Sequence, residues 1–307
     1  MKPAWWPFSH RPSHYHQQYD GVLGTILEVQ IAAGTPQQAQ QAEQKLLAEI
    51  DRLEKIFSRY DPQSNLCLWL AGQQEPLTEL AWILDKSAYW LQKTAGAYHP
   101  AAQMLSTLWA QDEPPTPQAL ASVLTQIDPA TTLLALHQRQ PILDLNFNAL
   151  AKGHIADQAA LVASHSPGVA QVLVNLGGDL CHRGSGTLEV AIANPLQPAD
   201  NQPPLARLRI QNQGVATSGG TYRGFQHGQQ RYSHLIDPRS GYPVDQVVGS
   251  SVLAPTCATA DVLATAFSVL TPAQSLALAN QLEGVGCLLV EASGQIWSNP
   301  FWQQHQL

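Results

Sequence analysis

Asp261 and Thr265 stand four residues apart in the run TADVLAT, residues 259–265, a short way after SHLIDPRSGYPV at residues 233–244. On a helix, two such side chains project roughly 40° apart on one face. A carboxylate and a hydroxyl placed that way suit a hard divalent cation. Magnesium fits best, because it keeps waters and accepts phosphate oxygens. The pair also fits a plain helix, where Asp meets the macrodipole and Thr bonds back to the preceding turn. His234 is held next to a Pro-led turn and is a candidate general base toward a hydroxyl nucleophile, or else a satisfied structural histidine. Asp237 supports it or closes its own Asx turn, with Gly241 supplying positive φ. Lys152, beside Gly153 at a helix start, can meet a phosphate; otherwise it is solvated or paired with Asp157. The run NLGGD at residues 175–179 lets a backbone approach a planar ligand closely. Hard oxygen ligands beside glycine turns point to chemistry on a metal-bound phosphate ester.

The elements that must position these groups are predicted from periodicity and turn residues. Helices are expected over 36–56, 77–93, 104–109, 150–163, 258–270 and 272–282. Strands are expected over 22–31, 142–145, 172–176, 188–193, 247–253, 286–291 and 295–297. Residues 205–210 and 214–218 read as strands of one meander. RYDPQSN at 59–65, TAGAYHP at 94–100 and the Pro- and Asn-rich 194–204 read as loops. Helices gather early and strands late, which gives an α+β class of mixed or antiparallel sheets with packed helices. Residues 1–20 read as an N-terminal extension and 21–307 as one domain, with a lobe break possible at the Pro-rich 112–118.

The 307 residues and 44% apolar content suit a well-cored globular chain. A net charge of −7, with no basic run, disfavours nucleic acid as a partner. No apolar run long enough to span a bilayer is read, so no membrane insertion is expected. Cys67, Cys181, Cys257 and Cys287 form no CxxC pair, which suggests reduced, mostly buried thiols and a cytoplasmic location. His10, His14 and His16 lie near the N-terminus, where a solvated cluster is expected over a metal site. P-loop, Rossmann and GxSxG fingerprints are absent from the sequence.

In order along the chain, LGT at 23–25, SRYDPQS at 58–64, TAGAYHP at 94–100 and NALAKGHIAD at 148–157 are followed by NLGGDL at 175–180, ATSGGTYR at 216–223, SHLIDPRSGYPV at 233–244 and TADVLATAFSVL at 259–270. The series resembles the FAD:protein FMN transferase family, the ApbE-type flavin transferases. That resemblance implies an ApbE-like, T-fold-like architecture and a magnesium-dependent enzyme. Such an enzyme moves the FMN half of FAD onto a Thr or Ser hydroxyl of an acceptor flavoprotein and releases AMP. It implies Asp261, Thr265 and the Ala149 carbonyl as magnesium ligands, His234 as the base and Asp237 as its support. Leu23, Tyr60, Ala97, Tyr98, His99, Asn146, Lys152 and Ser233 match FAD-contacting positions. The sequence departs from the family at several places. His99 and Asn146 replace aspartates, Asn148 and Ala149 replace a Gly-Gly pair, and Leu23 replaces a methionine. The departures leave two further readings: a magnesium-dependent FAD pyrophosphatase and a non-catalytic FAD-binding protein.

Overall fold

In the computed structural model, residues 13–141, 144–197, 202–219 and 224–307 are described. Eight strands make one sheet, every pairing antiparallel. Its order is β1 (Ser13–Val22), β2 (Thr25–Ala33), β3 (Val169–Leu176), β4 (Asp179–Gly184), β7 (Gly214–Ser218), β10 (Val247–Ala254), β11 (Gly286–Glu291) and β12 (Ile296–Ser298). Two hairpins lie outside it: β5 (Leu188–Ile192) with β6 (Ala206–Ile210), and β8 (Gly224–His227) with β9 (Gln230–Ser233). The helices among the described residues are α1 (Pro36–Phe57), α2 (Asn65–Leu70), α3 (Thr78–Lys93), α4 (Gln103–Trp109), α5 (Pro117–Gln126), α6 (Pro129–Gln138), α7 (Asn148–Ser164), α8 (Cys257–Phe267), α9 (Pro272–Asn280) and α10 (Pro300–His305). The architecture is α+β.

Alternation along the central strands sends side chains into two cores. Ala216, Val252, Cys287 and Leu289 join the main core with the long helices. Their neighbours Val215, Leu253, Leu288 and Val290 face a second cluster, closed by the β5–β6 hairpin and Trp302 of α10. Helix α1 begins with Thr35 accepting from Gln38 N–H and Pro36 in the first turn, and it buries Ala39, Ala42, Leu46, Ile50 and Leu53. Helix α7 is apolar around most of its girth because it is wrapped by α1, α8, β3 and β4.

Several expectations are corrected by this fold. Residues 13–20, read as part of an extension, are an edge strand: β1 pairs with β2, and the Tyr15 and Tyr19 phenols donate to the buried Glu43 of α1 at 2.6 and 2.7 Å. The strand expected from residue 22 starts at Thr25, because Leu23 (φ 50°) and Gly24 (φ 73°) form a hairpin turn. The supposed meander is split between sheets. Asn212 (φ 51°) turns the chain, β6 pairs with β5, and β7 enters the main sheet beside β4 and β10. Helices α2, α5, α6 and α10, and strands β4, β8 and β9, were not anticipated. Pro117–Gln138 is helical, long and apolar enough for a bilayer span, contrary to the sequence reading. It is broken at Asp128, which caps α6, and Leu120, Ile127 and Leu136 join the main core. The 112–118 connector therefore joins helices that share one core. His10, Ile142, Leu143 and residues 220–223 lie outside the described residues.

Candidate active site

Two helices, α7 and α8, carry Ala149, Asp261 and Thr265. The main chain of α8 starts at Thr256, whose hydroxyl accepts from Thr259 N–H at 3.1 Å. The carboxylate of Asp157, on α7, accepts from the next two donors, Cys257 N–H at 2.9 Å and Ala258 N–H at 3.0 Å. Gly153 lets the helices touch: a Cβ there would stand 2.5 Å from the Cys257 carbonyl oxygen. One turn into α8, Asp261 is only 6% exposed, and its Oδ2 has no hydrogen-bond partner. Burial and the nearby Asp179 carboxylate push its carboxyl up to about 8, against the opposing pull of Lys152 and the Gly153 N–H.

A cleft of ≈ 190 Å³ opens beside Thr265. It brings together Ala97, Tyr98, His99, Asn146, Ala149, His234 and Thr265 from four segments of the chain. Buried Tyr98 shares a hydrogen bond with Ser87 Oγ at 3.0 Å, and burial raises its phenol. The His99 Nδ1 accepts from Ala101 N–H at 3.1 Å, which leaves the proton on Nε2. Burial lowers this imidazole to about 4, so the ring is neutral. Asn146 Oδ1 accepts from Asn148 N–H at 2.9 Å and its Nδ2 donates to Gln103 Oε1 at 3.3 Å. A neutral His99, Asn146 and Gln103 together make an uncharged stretch of this wall.

A second cleft of ≈ 160 Å³ holds Leu23, Tyr60 and Lys152 with Arg59. Asn148 lines both clefts, so they meet at the start of α7. The Lys152 ammonium donates to Asp179, not to Asp157. Burial works against that ammonium, but the Asp261 and Asp179 carboxylates outweigh it and hold it above its usual range. Arg59 ties the second cleft to the loop before α7, through Asp144 at 2.5 Å and the Leu145 carbonyl.

Ser233 and Asp237 stand outside both described linings and act on the turn between them. Ser233 Oγ accepts from Leu235 N–H at 3.1 Å, bending the chain around His234. Asp237 makes the Asx turn: its Oδ1 accepts from Arg239 N–H at 2.9 Å, and both oxygens are bound by the Arg239 guanidinium at 2.8 Å. Gly241 closes the loop with φ 78°. Asp237 thus clamps the turn that carries His234. Asp157, Asp179, Arg59, Asn148 and Gln103 were missed as site residues. All but Gln103 sit in quoted motifs, yet the partners of Asp157, Asp179 and Arg59 come from distant segments.

Known proteins share the family and the fold. The ApbE family model matches residues 23–289. The chain is 29% identical over 304 residues to an FAD:protein FMN transferase of Treponema pallidum, covering 88% of this chain and 82% of the relative. It is 25% identical over 304 residues to the FAD:protein FMN transferase of Escherichia coli K12, covering 91% and 86%. Its fold is similar to that of the ApbE protein from Thermotoga maritima, with a TM-score of 0.81 at 20% identity over 96% of this chain and 100% of the other. The apo flavinyl transferase ApbE of Pseudomonas stutzeri gives 0.79 at 20% identity, over 97% and 98%. With a family match that runs from the β1–β2 turn into β11 and takes in both clefts, the chain belongs to the ApbE family.

Proposed function

We propose that the protein transfers the FMN half of FAD to a Thr or Ser hydroxyl of an acceptor protein and releases AMP. The acceptor oxygen attacks the phosphorus attached to riboflavin, forming a phosphodiester. The bond from that phosphorus to the bridging oxygen breaks, and AMP leaves with that oxygen. His234, in the wall of the cleft that contains Thr265, takes the hydroxyl proton. The observation that carries the reading is the buried, unpartnered Oδ2 of Asp261, one turn from Thr265. A carboxylate, a hydroxyl and the Ala149 carbonyl form an all-oxygen donor set that fits Mg²⁺ and leaves positions for phosphate and water. When bound there, Mg²⁺ supplies positive charge against the charge developing on the leaving phosphate. Lys152, held by Asp179 at the second cleft, adds a fixed cation toward the diphosphate. The uncharged wall of Asn146, Gln103 and neutral His99 accepts a nucleotide portion through hydrogen bonds. Four unbridged thiols, three of them buried, support a cytoplasmic setting for the acceptor.

Incubation with FAD, Mg²⁺ and a candidate acceptor protein should yield an FMN-sized mass increase on a Thr or Ser peptide, together with AMP. His234→Ala should slow that transfer by about 10²-fold or more. AMP release at full rate without an acceptor would replace transfer by hydrolysis. FAD binding with no AMP in either case would leave a binding protein.

A further inference from the structure

We infer that Asp157 is a positioning residue for the cation site, fixing the first turn of α8 against α7 and so setting how the Ala149 carbonyl meets the Asp261–Thr265 pair. The inference rests on the function proposed above. Two rows of residues spaced one turn apart face each other. On α7 they are Ala149, Gly153 and Asp157; on α8 they are Cys257, Asp261 and Thr265. The helices make extensive mutual contact, and Gly153 brings the two backbones together at Cys257.

At one end of these rows Asp157 spends both carboxylate oxygens on α8 main chain, at Cys257 and Ala258. No carbonyl within α8 can accept from those first N–H groups. Sliding or rotating α8 by even a fraction of a turn would therefore strand two buried donors and a carboxylate. Cys181 Sγ at 3.2 Å and Arg183 Nη2 at 3.5 Å hold Asp157 Oδ1 from β4, so the clamp itself is anchored in the sheet. Asp157 has both oxygens taken by α8 main chain, unlike Asp261 with its unpartnered Oδ2, so it acts through α8 and not on the substrate. At the other end stand Thr265 and Ala149, and between them is Asp261 with its unpartnered oxygen.

The test titrates Mn²⁺, as a spin probe for the cation, into the full chain with FAD and no acceptor, reading the free ion by electron paramagnetic resonance. Asp157→Asn keeps the shape and one acceptor; Asp157→Ser keeps one short acceptor and serves as the second variant. We expect the Mn²⁺ dissociation constant to rise by about tenfold or more. Half-saturating Mg²⁺ in the transfer assay should rise in step, with the KM for FAD unchanged. Asn299→Ala is the stability control. Asn299 caps α10 and bonds to Cys287 N–H and the Val285 carbonyl, so its loss should lower Tm and leave the Mn²⁺ constant alone. A wild-type Mn²⁺ constant in both folded Asp157 variants overturns the inference, as does an equal shift in Asn299→Ala. Wild-type protein that transfers FMN without any divalent ion overturns the functional reading instead.

Discussion

The buried Asp261 carboxyl is costly to the fold. A buried carboxyl oxygen without a partner carries a desolvation penalty, and the Asp179 carboxylate adds repulsion. Asp261→Asn removes the charge but not the shape. In metal-free buffer its unfolding free energy should equal or exceed that of wild type by on the order of 1 kcal/mol, while Mg²⁺-dependent transfer is lost. Urea denaturation and the mass-increase assay check the two halves; a large destabilisation in metal-free buffer would contradict this account of the residue. That Asp261 and Thr265 share one helix was legible in the sequence because the period of a helix is local. The pairing of Lys152 was not. Lys152 and Asp157 are five residues apart, about 140° around a helix, so they cannot meet. The actual partner, Asp179, arrives from β4 across a fold that spacing does not reveal.

The helix starts are the most legible elements. Thr35-Pro36, Thr116-Pro117, Asp128-Pro129, Thr271-Pro272 and Asn299-Pro300 each put a capping side chain ahead of Pro in the first turn. Three of these helices were still missed, because α5 and α6 follow a Pro-rich connector and α10 is a turn and a half long. Strand β1 was hidden for another reason. It is an edge strand with mostly polar side chains, and its anchor is the pair of tyrosines bound to Glu43 rather than an apolar face. At the α7–α8 contact one substitution is decisive. Gly153→Ala forces a methyl group against the Cys257 carbonyl, where neither backbone can yield without moving α8. The cost should be on the order of 2–3 kcal/mol, measured by urea denaturation. A neutral Gly153→Ala would mean that the two helices are less tightly coupled than their geometry implies.

Across the whole molecule, acid should act through buried imidazoles, His99 and His154 foremost among them. Burial lowers both His99 and His154 to about 4; His154 lies stacked on Trp82 with ring centroids 4.3 Å apart. The unfolded chain titrates these groups near 6.5, so between about pH 6.5 and 4 it binds more protons than the folded chain. Stability therefore falls as the pH drops through that window and levels off below it, each histidine contributing on the order of 3 kcal/mol at most. His154→Phe should flatten part of the slope between pH 7 and 4.5 in urea denaturation; an unchanged slope would exclude this histidine as a source.

Asn148 belongs to two cavities at once, and a dinucleotide laid across it would be gripped by separate walls on either side. Small fragments need not compete with each other there. A mononucleotide and a riboflavin analogue should occupy the protein together, each displacing the intact cofactor, and their paired inhibition plots should cross instead of running parallel. Parallel lines would mean a single shared seat.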